Sequence, residues 1–327
     1  VKHLLLVVFL LLATGADLWA ADPTVMVVES YHAEYAWDQS YLNGLREGLG
    51  AKVKLVRFQM DTKRVPKSMY QQQADLAWQK FLEVKPDLIV LGDDNALKYL
   101  GPKLLDKGTP VVYLGINNNP EDYVPGGHNI TGILERPLYN FSIRTVGQIV
   151  QPKPKKILVL FDHGTTSQAS VAEAFQGKKR VIMHDIEVDL QTIGNWDLWQ
   201  AEVLGAKDLG YDALVVGLYH TLSDSHGHNV PADRVMQWTS ANTPVPPFGF
   251  WDFSVGAGKT IGGFVLSGRE QGLAAAKVAR GIIEGAEPAS IPPKIGEKGA
   301  FVFSRSELKR YGFSLPAEMA RRTNWVE

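Results

Sequence analysis

Short apolar runs recur along the first half of the chain and alternate with longer stretches of helical spacing. Val25-Met26-Val27-Val28-Glu29, Val53 to Phe58, Asp87 to Gly92 and Pro110 to Gly115 read as strands. Between them, residues near 38–49, 67–84 and 94–106 read as helices. Strands separated by helices of roughly ten residues or more build a parallel sheet with right-handed crossovers. The pattern therefore predicts one complete α/β lobe.

After Gly126-Gly127-His128-Asn129-Ile130-Thr131-Gly132 the same grammar restarts. A helix is predicted near 137–149, then a Pro152-Lys153-Pro154 break and a strand from Lys156 to Phe161. A helix near 167–178, a strand near 181–188, a helix near 196–209 and a strand from Asp212 to Gly217 complete a second lobe. The tail carries the runs Pro247 to Trp251 and Gly262 to Ser267, a strong helix from Gln271 to Ile283, and a short strand at 301–303 before a polar end. Nothing resembles a flexible tether, so the lobes are expected to be joined by several short crossovers. The restart is one of architecture, without a residue-level repeat of fixed period.

Composition narrows the class. The chain has 327 residues, 45% of them hydrophobic, and a net charge of -1, which suits a globular protein of two domains or one large one. Near-neutral charge gives no support to nucleic-acid binding. Residues 1–21 differ in kind: Lys2 and His3 precede Leu4 to Ala13, with Ala20 and Ala21 soon after, the pattern of a secretory signal peptide. Its apolar core falls short of the roughly 20 residues that span a bilayer. The chain contains no cysteine, which excludes disulfides and thiolate metal sites and removes the residue that a bacterial lipid anchor requires. The expected location is the periplasm, freely diffusing.

Several segments then agree with one family. These are Pro125 to Ile133, Ile149-Val150-Gln151-Pro152 with Lys155 to Leu160, Lys85 to Val90, Gly272 to Lys277 with Glu284 to Pro288, and Phe303 to Pro316. In their order and spacing the chain resembles the ABC-transporter substrate-binding family that includes tryptophan and tyrosine uptake proteins. The resemblance implies a type I periplasmic-binding fold: two doubly wound parallel-sheet α/β lobes, joined by three crossovers and closing on a small ligand. It places lobe one at 22–132 plus 268–288 and lobe two at 133–267 plus 289–327. It also implies a monomer without cofactor that serves an ABC permease in the inner membrane. Two departures bear on the ligand. Where the relatives carry Asn-Pro and then Asn-Ser, this chain has Asp162-His163-Gly164-Thr165-Thr166-Ser167, keeping only the serine. The loop from Tyr31 to Trp37 is longer and more aromatic than the relatives' first loop.

Loops leaving the carboxyl ends of parallel strands border the crevice where ligands bind. On that rule lobe one offers Ser30, Tyr31, His32, Tyr35 and Trp37, then Asp93, Asp94 and Asn95, then Asn117. Lobe two offers Asp162, Thr165, Thr166 and Ser167, then Tyr219 and His220, then Trp251 and Asp252. Aromatic faces with a few fixed polar groups suit an amino acid or another ring-bearing solute. Thr165 to Ser167 open a helix, where hydroxyls and free N–H groups hold a carboxylate or phosphate, or simply cap the helix. The rings at Tyr31, Tyr35 and Trp37 read either as ligand contacts or as packing with wet tips. His226-Gly227-His228 sits in a Ser/Gly/Asn-rich loop without convergent carboxylates, so no metal site is expected. Val255 to Thr260 fails the spacing of a phosphate-binding loop. Without a G-x-S-x-G elbow, an H-E-x-x-H helix or a cysteine nucleophile, no enzyme activity is expected. The expected function is capture of a small molecule for an ABC transporter. The alternative is a sensory binding protein serving a histidine kinase or chemoreceptor.

Overall fold

The computed structural model describes residues 22–105, 107–296 and 299–327, so the expected signal segment at 1–21 lies outside the described residues. The first lobe runs β1 (Thr24–Glu29), α1 (Ala36–Leu49), β2 (Lys54–Gln59), α2 (Tyr70–Val84), β3 (Leu88–Gly92), α3 (Asp93–Leu104), β4 (Val111–Ile116) and β5 (Ile130–Leu134). These strands pair in parallel in the order β5-β4-β3-β1-β2. The chain therefore leaves β1 toward β2 and returns across it to β3. That reversal is the topological switch point, where the flanking loops part and a crevice opens.

The second lobe runs α4 (Tyr139–Ile149), β6 (Lys156–Asp162), α5 (Thr165–Phe175), β7 (Arg180–Met183), β8 (Ile186–Ile193), α6 (Trp196–Gly205), β9 (Ala213–Val216), α7 (Ala232–Asn242) and β10 (Pro247–Gly249). Its sheet has the order β10-β9-β6-β8-β7, parallel except for β7. The remainder is β11 (Gly262–Leu266), α8 (Gly268–Ile283), β12 (Lys294–Ile295), β13 (Gly299–Ser304), α9 (Arg305–Tyr311), α10 (Ala317–Arg321) and β14 (Thr323–Val326). Strands β11, β13 and β14 form a small third sheet. The chain passes between the lobes three times: after β5, at Ser267, and between β12 and β13.

Alternate residues of each buried strand feed opposite helical layers, as the pleat requires. Val25, Val27, Leu88 and Val90 pack with Leu45 of α1 and Ala275 of α8, whereas Met26, Val28, Ile89 and Leu91 pack with Ala77 of α2 and Leu100 of α3. Lobe two repeats the scheme, with Ile157 and Val159 on one face and Leu158 and Leu160 on the other. Helices α1 and α8 approach through glycine. A Cβ on Gly44 would stand 2.0 Å from the Arg269 carbonyl oxygen, and one on Gly272 would stand 2.0 Å from that of Tyr41.

Four local expectations are corrected. The run at 181–188 is a hairpin, β7 against β8, reversing at His184 and Asp185 with φ of 53° and 62°, as tight hairpin turns demand. Helix α7 was not predicted. The polar end carries α9, α10 and β14. The first sheet runs past both expected boundaries, because β5 ends at Leu134 and β12 pairs with it.

Candidate functional site

At the carboxyl ends of both sheets, the two switch points are tied by side chains. In lobe one the Ser30 hydroxyl donates to the Gly92 carbonyl at 2.5 Å and accepts from the Ala96 N–H at 2.8 Å. Asp94 accepts from the N–H groups of Asn117 and Asn118, and Asn95 donates to Thr62. In lobe two Asp162 accepts from Gly164 N–H, Thr221 N–H and the Ser167 hydroxyl. These residues fix the loops that hold the site.

The loops meet across the cleft. Tyr31 donates to Asp93 Oδ1 at 3.4 Å, and its hydroxyl lies 3.3 Å from Thr166 Oγ1 of the opposite lobe. Ser170 of α5 donates to Asn117 Oδ1 at 2.8 Å. Tyr35 stands edge-on to both Tyr31 and His220, each with ring centroids 4.8 Å apart. Phe253 packs against Tyr35, Trp37, Tyr219 and His220. His32 faces Asp61 at 3.5 Å within lobe one. Asp252 meets the Ser40 hydroxyl, and Trp251 Nε1 donates to Glu135 Oε1 at 2.7 Å on the first crossover.

Two cavities open at this seam, and Lys63, from the loop after β2, lines both. One, of about 370 Å³, is bordered by Tyr31, Thr62, Thr165, Thr166 and Thr221. The other, of about 320 Å³, is bordered by His32, Tyr35, Tyr219, His220 and Phe253. Both fall in the size range of small-molecule pockets. The start of α5, whose N-cap Gly164 supplies no side-chain acceptor, borders the first.

No protein-family model matches the chain, and no curated protein matches it in sequence. Solved structures do. An ABC domain from Streptococcus pneumoniae in complex with L-Trp aligns over 94% of this chain and 100% of its own, with a TM-score of 0.68 at 17% identity. The fold is the type I periplasmic-binding fold. A conserved domain protein from Vibrio cholerae O1 biovar El Tor covers the same shares at a TM-score of 0.67 and 16% identity. A ligand-free, open substrate-binding protein with adhesive properties from Clostridium difficile covers 93% of this chain and 99% of its own, at 0.60 and 15%. A LacI-family transcription repressor from Corynebacterium glutamicum shares the fold more distantly, at 0.53.

Within this fold, the seam buries carboxyls and His220 beside a half-buried Lys63. Asp38 and Asp93 are 0% and 2% exposed, and burial pushes both carboxyls well above the usual range, with the charge of Glu29 adding to it at Asp38 and that of Asp38 adding to it at Asp93. Burial likewise pushes Glu135 up to about 8, against the Trp251 hydrogen bond that favours its charged form. Lys63 is held below the ordinary lysine range by burial, although the charges of Asp162, Asp93, Asp38 and Glu135 oppose that shift. His220 is pushed well below its ordinary value by burial and by the neighbouring Lys63.

The sequence reading missed Asp38, Lys63, Glu135 and Phe253. A signal existed for Asp38, since 38, 41, 42 and 45 mark the inward stripe of α1 and all four residues are buried. Lys63 follows the carboxyl end of β2, so the rule that selected the other loops applied to it as well. The image of half-wet aromatic rings does not hold for Trp37 or Tyr35, which are 2% and 6% exposed. Trp37→Ala is therefore expected to cost about 3 kcal/mol or more of ligand-free stability. Urea denaturation showing a loss under about 1 kcal/mol would return that ring to the surface. Among the described residues no group of three or more His, Asp or Glu side chains is placed to hold a metal ion. The His226–His228 turn is instead folded around Asp224.

Proposed function

We propose that the chain is a periplasmic clamp that captures a small ring-bearing solute between its lobes and delivers it to an ABC permease. The supporting observation is that Tyr31, Tyr35 and Asn117 from one lobe touch Thr166, His220 and Ser170 from the other, beside two cavities at the carboxyl ends of both sheets. Contacts formed with both lobes exist only when the lobes are together, so a solute that bridges them shifts the open–closed equilibrium. The permease reads the closed shape. Among the described residues no helix is long and apolar enough to cross a membrane, which suits the donor half of such a system.

Thermal-shift screening against amino acids, amines, organic acids, nucleosides and sugars tests the clamp. A solute at 100 times its Kd adds about 2.7 kcal/mol, which raises the Tm of a chain this size by roughly 4 °C. A screen in which no class moves the Tm contradicts a solute-binding role. Uptake by vesicles that carry a candidate permease, with and without the protein, tests the delivery step.

A further inference from the structure

We propose that the solute held between the lobes carries an alkylammonium group, and that this group takes the place on the faces of Tyr31 and Tyr35 that the Lys63 ammonium occupies here. The proposal rests on the clamp reading above and names the chemistry of that same site.

The protein itself seats an alkylammonium there. Lys63 Nζ lies 4.5 Å from the ring centroid of Tyr31 and 5.3 Å from that of Tyr35, within the range over which an aromatic face attracts a cation. Asp162, Asp93, Asp38 and Glu135, drawn from both lobes and the crossover, lie near enough that their charged forms would favour the ammonium, which burial disfavours. Among the described residues none of these carboxylates comes within ion-pair distance of it.

The surrounding oxygens are unsatisfied. Asp93 Oδ2 and the Tyr41 hydroxyl are buried without a hydrogen-bond partner, and Asp38 has only the Tyr31 backbone N–H near it, outside good hydrogen-bond geometry. The Tyr41 hydroxyl lies against Gly92, the residue before Asp93, where a Cβ would stand 2.4 Å from it. Asp93 and Glu135 converge at Gly115, where a Cβ would stand 3.4 Å from Asp93 Cγ and 3.4 Å from Glu135 Oε2. Asp93 itself adopts φ of 69°, a conformation that costs a non-glycine residue free energy and gathers at ligand clamps. Buried carboxylates need donors. A free ammonium brings three N–H donors to oxygens that Lys63, tethered to its loop, leaves without one. When the solute enters, Lys63 has the adjoining cavity to turn into, since it lines both.

A matched set of probes tests this: tyramine, its neutral alcohol 2-(4-hydroxyphenyl)ethanol and the anion 4-hydroxyphenylacetate, titrated calorimetrically into the whole chain. The expected result is that tyramine binds at least tenfold more tightly than either analogue, that Lys63→Met tightens tyramine binding at least tenfold further, and that Lys63→Arg, which keeps the competing cation, does not. Asp93→Asn is expected to weaken tyramine at least tenfold. The proposal is overturned if Lys63→Met, folded by circular dichroism, weakens binding of whichever probe binds, because Lys63 would then be a ligand contact. It is overturned equally if the alcohol or the acid matches the amine, or if none of the three binds. The clamp reading survives all of these outcomes provided another solute class raises the Tm in the screen.

Discussion

Gly272→Ala lowers the unfolding free energy by about 3 kcal/mol, the upper range for forcing extra volume into a packed contact. The added Cβ would stand 2.0 Å from the Tyr41 carbonyl oxygen, and backbone cannot swing aside as a side-chain tip can. Helices α1 and α8 would have to separate, which shifts Asp38 and Tyr41 on one and the Ser267 crossover at the start of the other. Gly281 in the same helix supplies the control, because nothing stands within 4 Å of a Cβ there. Gly281→Ala is expected to stabilise the protein by roughly 0.5–1 kcal/mol through helix propensity. Equal effects of the two changes in urea denaturation would mean that α1 and α8 do not pack through glycine.

Glu135→Gln changes how stability depends on pH. The Glu135 carboxyl is pushed up to about 8 in the fold, against an ordinary value of 4.5. Between those values the folded state holds a proton that the unfolded state has lost, so Glu135 contributes stability that is complete below the ordinary value and vanishes as pH rises through about 8. The groups facing it are Asp94, Asn117, Trp251 and Lys63, with Asp93 beside it at Gly115. Glutamine keeps the shape and removes the titration. The variant is expected to exceed the parent in stability by about 2 kcal/mol or more at pH 9 and to converge on it near pH 5, at ~1.4 kcal/mol per pKa unit with the shift shared among neighbours. His220 acts in the opposite sense: its lowered value means that stability is lost as pH falls below the ordinary histidine range. That acid limb should persist in Glu135→Gln. Parallel profiles for parent and variant from pH 5 to 9 would show that Glu135 is not held protonated by the fold.

Much of the architecture was legible because buried parallel strands announce themselves. Val25 to Val28 and Leu88 to Leu91 are covered on both faces, which leaves no polar alternation to confuse with a helix. The β7–β8 hairpin was hidden because its turn is made by His184 and Asp185, not by glycine. The site was legible only by location. Loops at strand ends named Tyr31, Tyr35, Thr166 and His220, and these do meet at the seam. The same rule also named Ser30, Asp94, Asp162 and Ser167, whose polar atoms go to holding loops together. Residue type alone cannot separate a carboxylate that binds backbone from one left open. Asp38 lies one residue past Trp37 in the first turn of α1, just beyond the loop that strand-end reasoning selected, and Glu135 was missed because a crossover is not where that reasoning looks.

The central claim is that a solute holds the two lobes together at this seam. Because the chain has no cysteine, spin labels attach only where cysteines are introduced. Lys98 of lobe one and Gln168 of lobe two are exposed and lie outside both cavities. Double electron–electron resonance on a Lys98→Cys/Gln168→Cys protein is expected to give a broad distribution reaching longer distances without solute. With a solute that raises the Tm, the distribution should narrow to the separation found with Tyr31 against Thr166. An unchanged distribution at saturating solute would contradict the clamp.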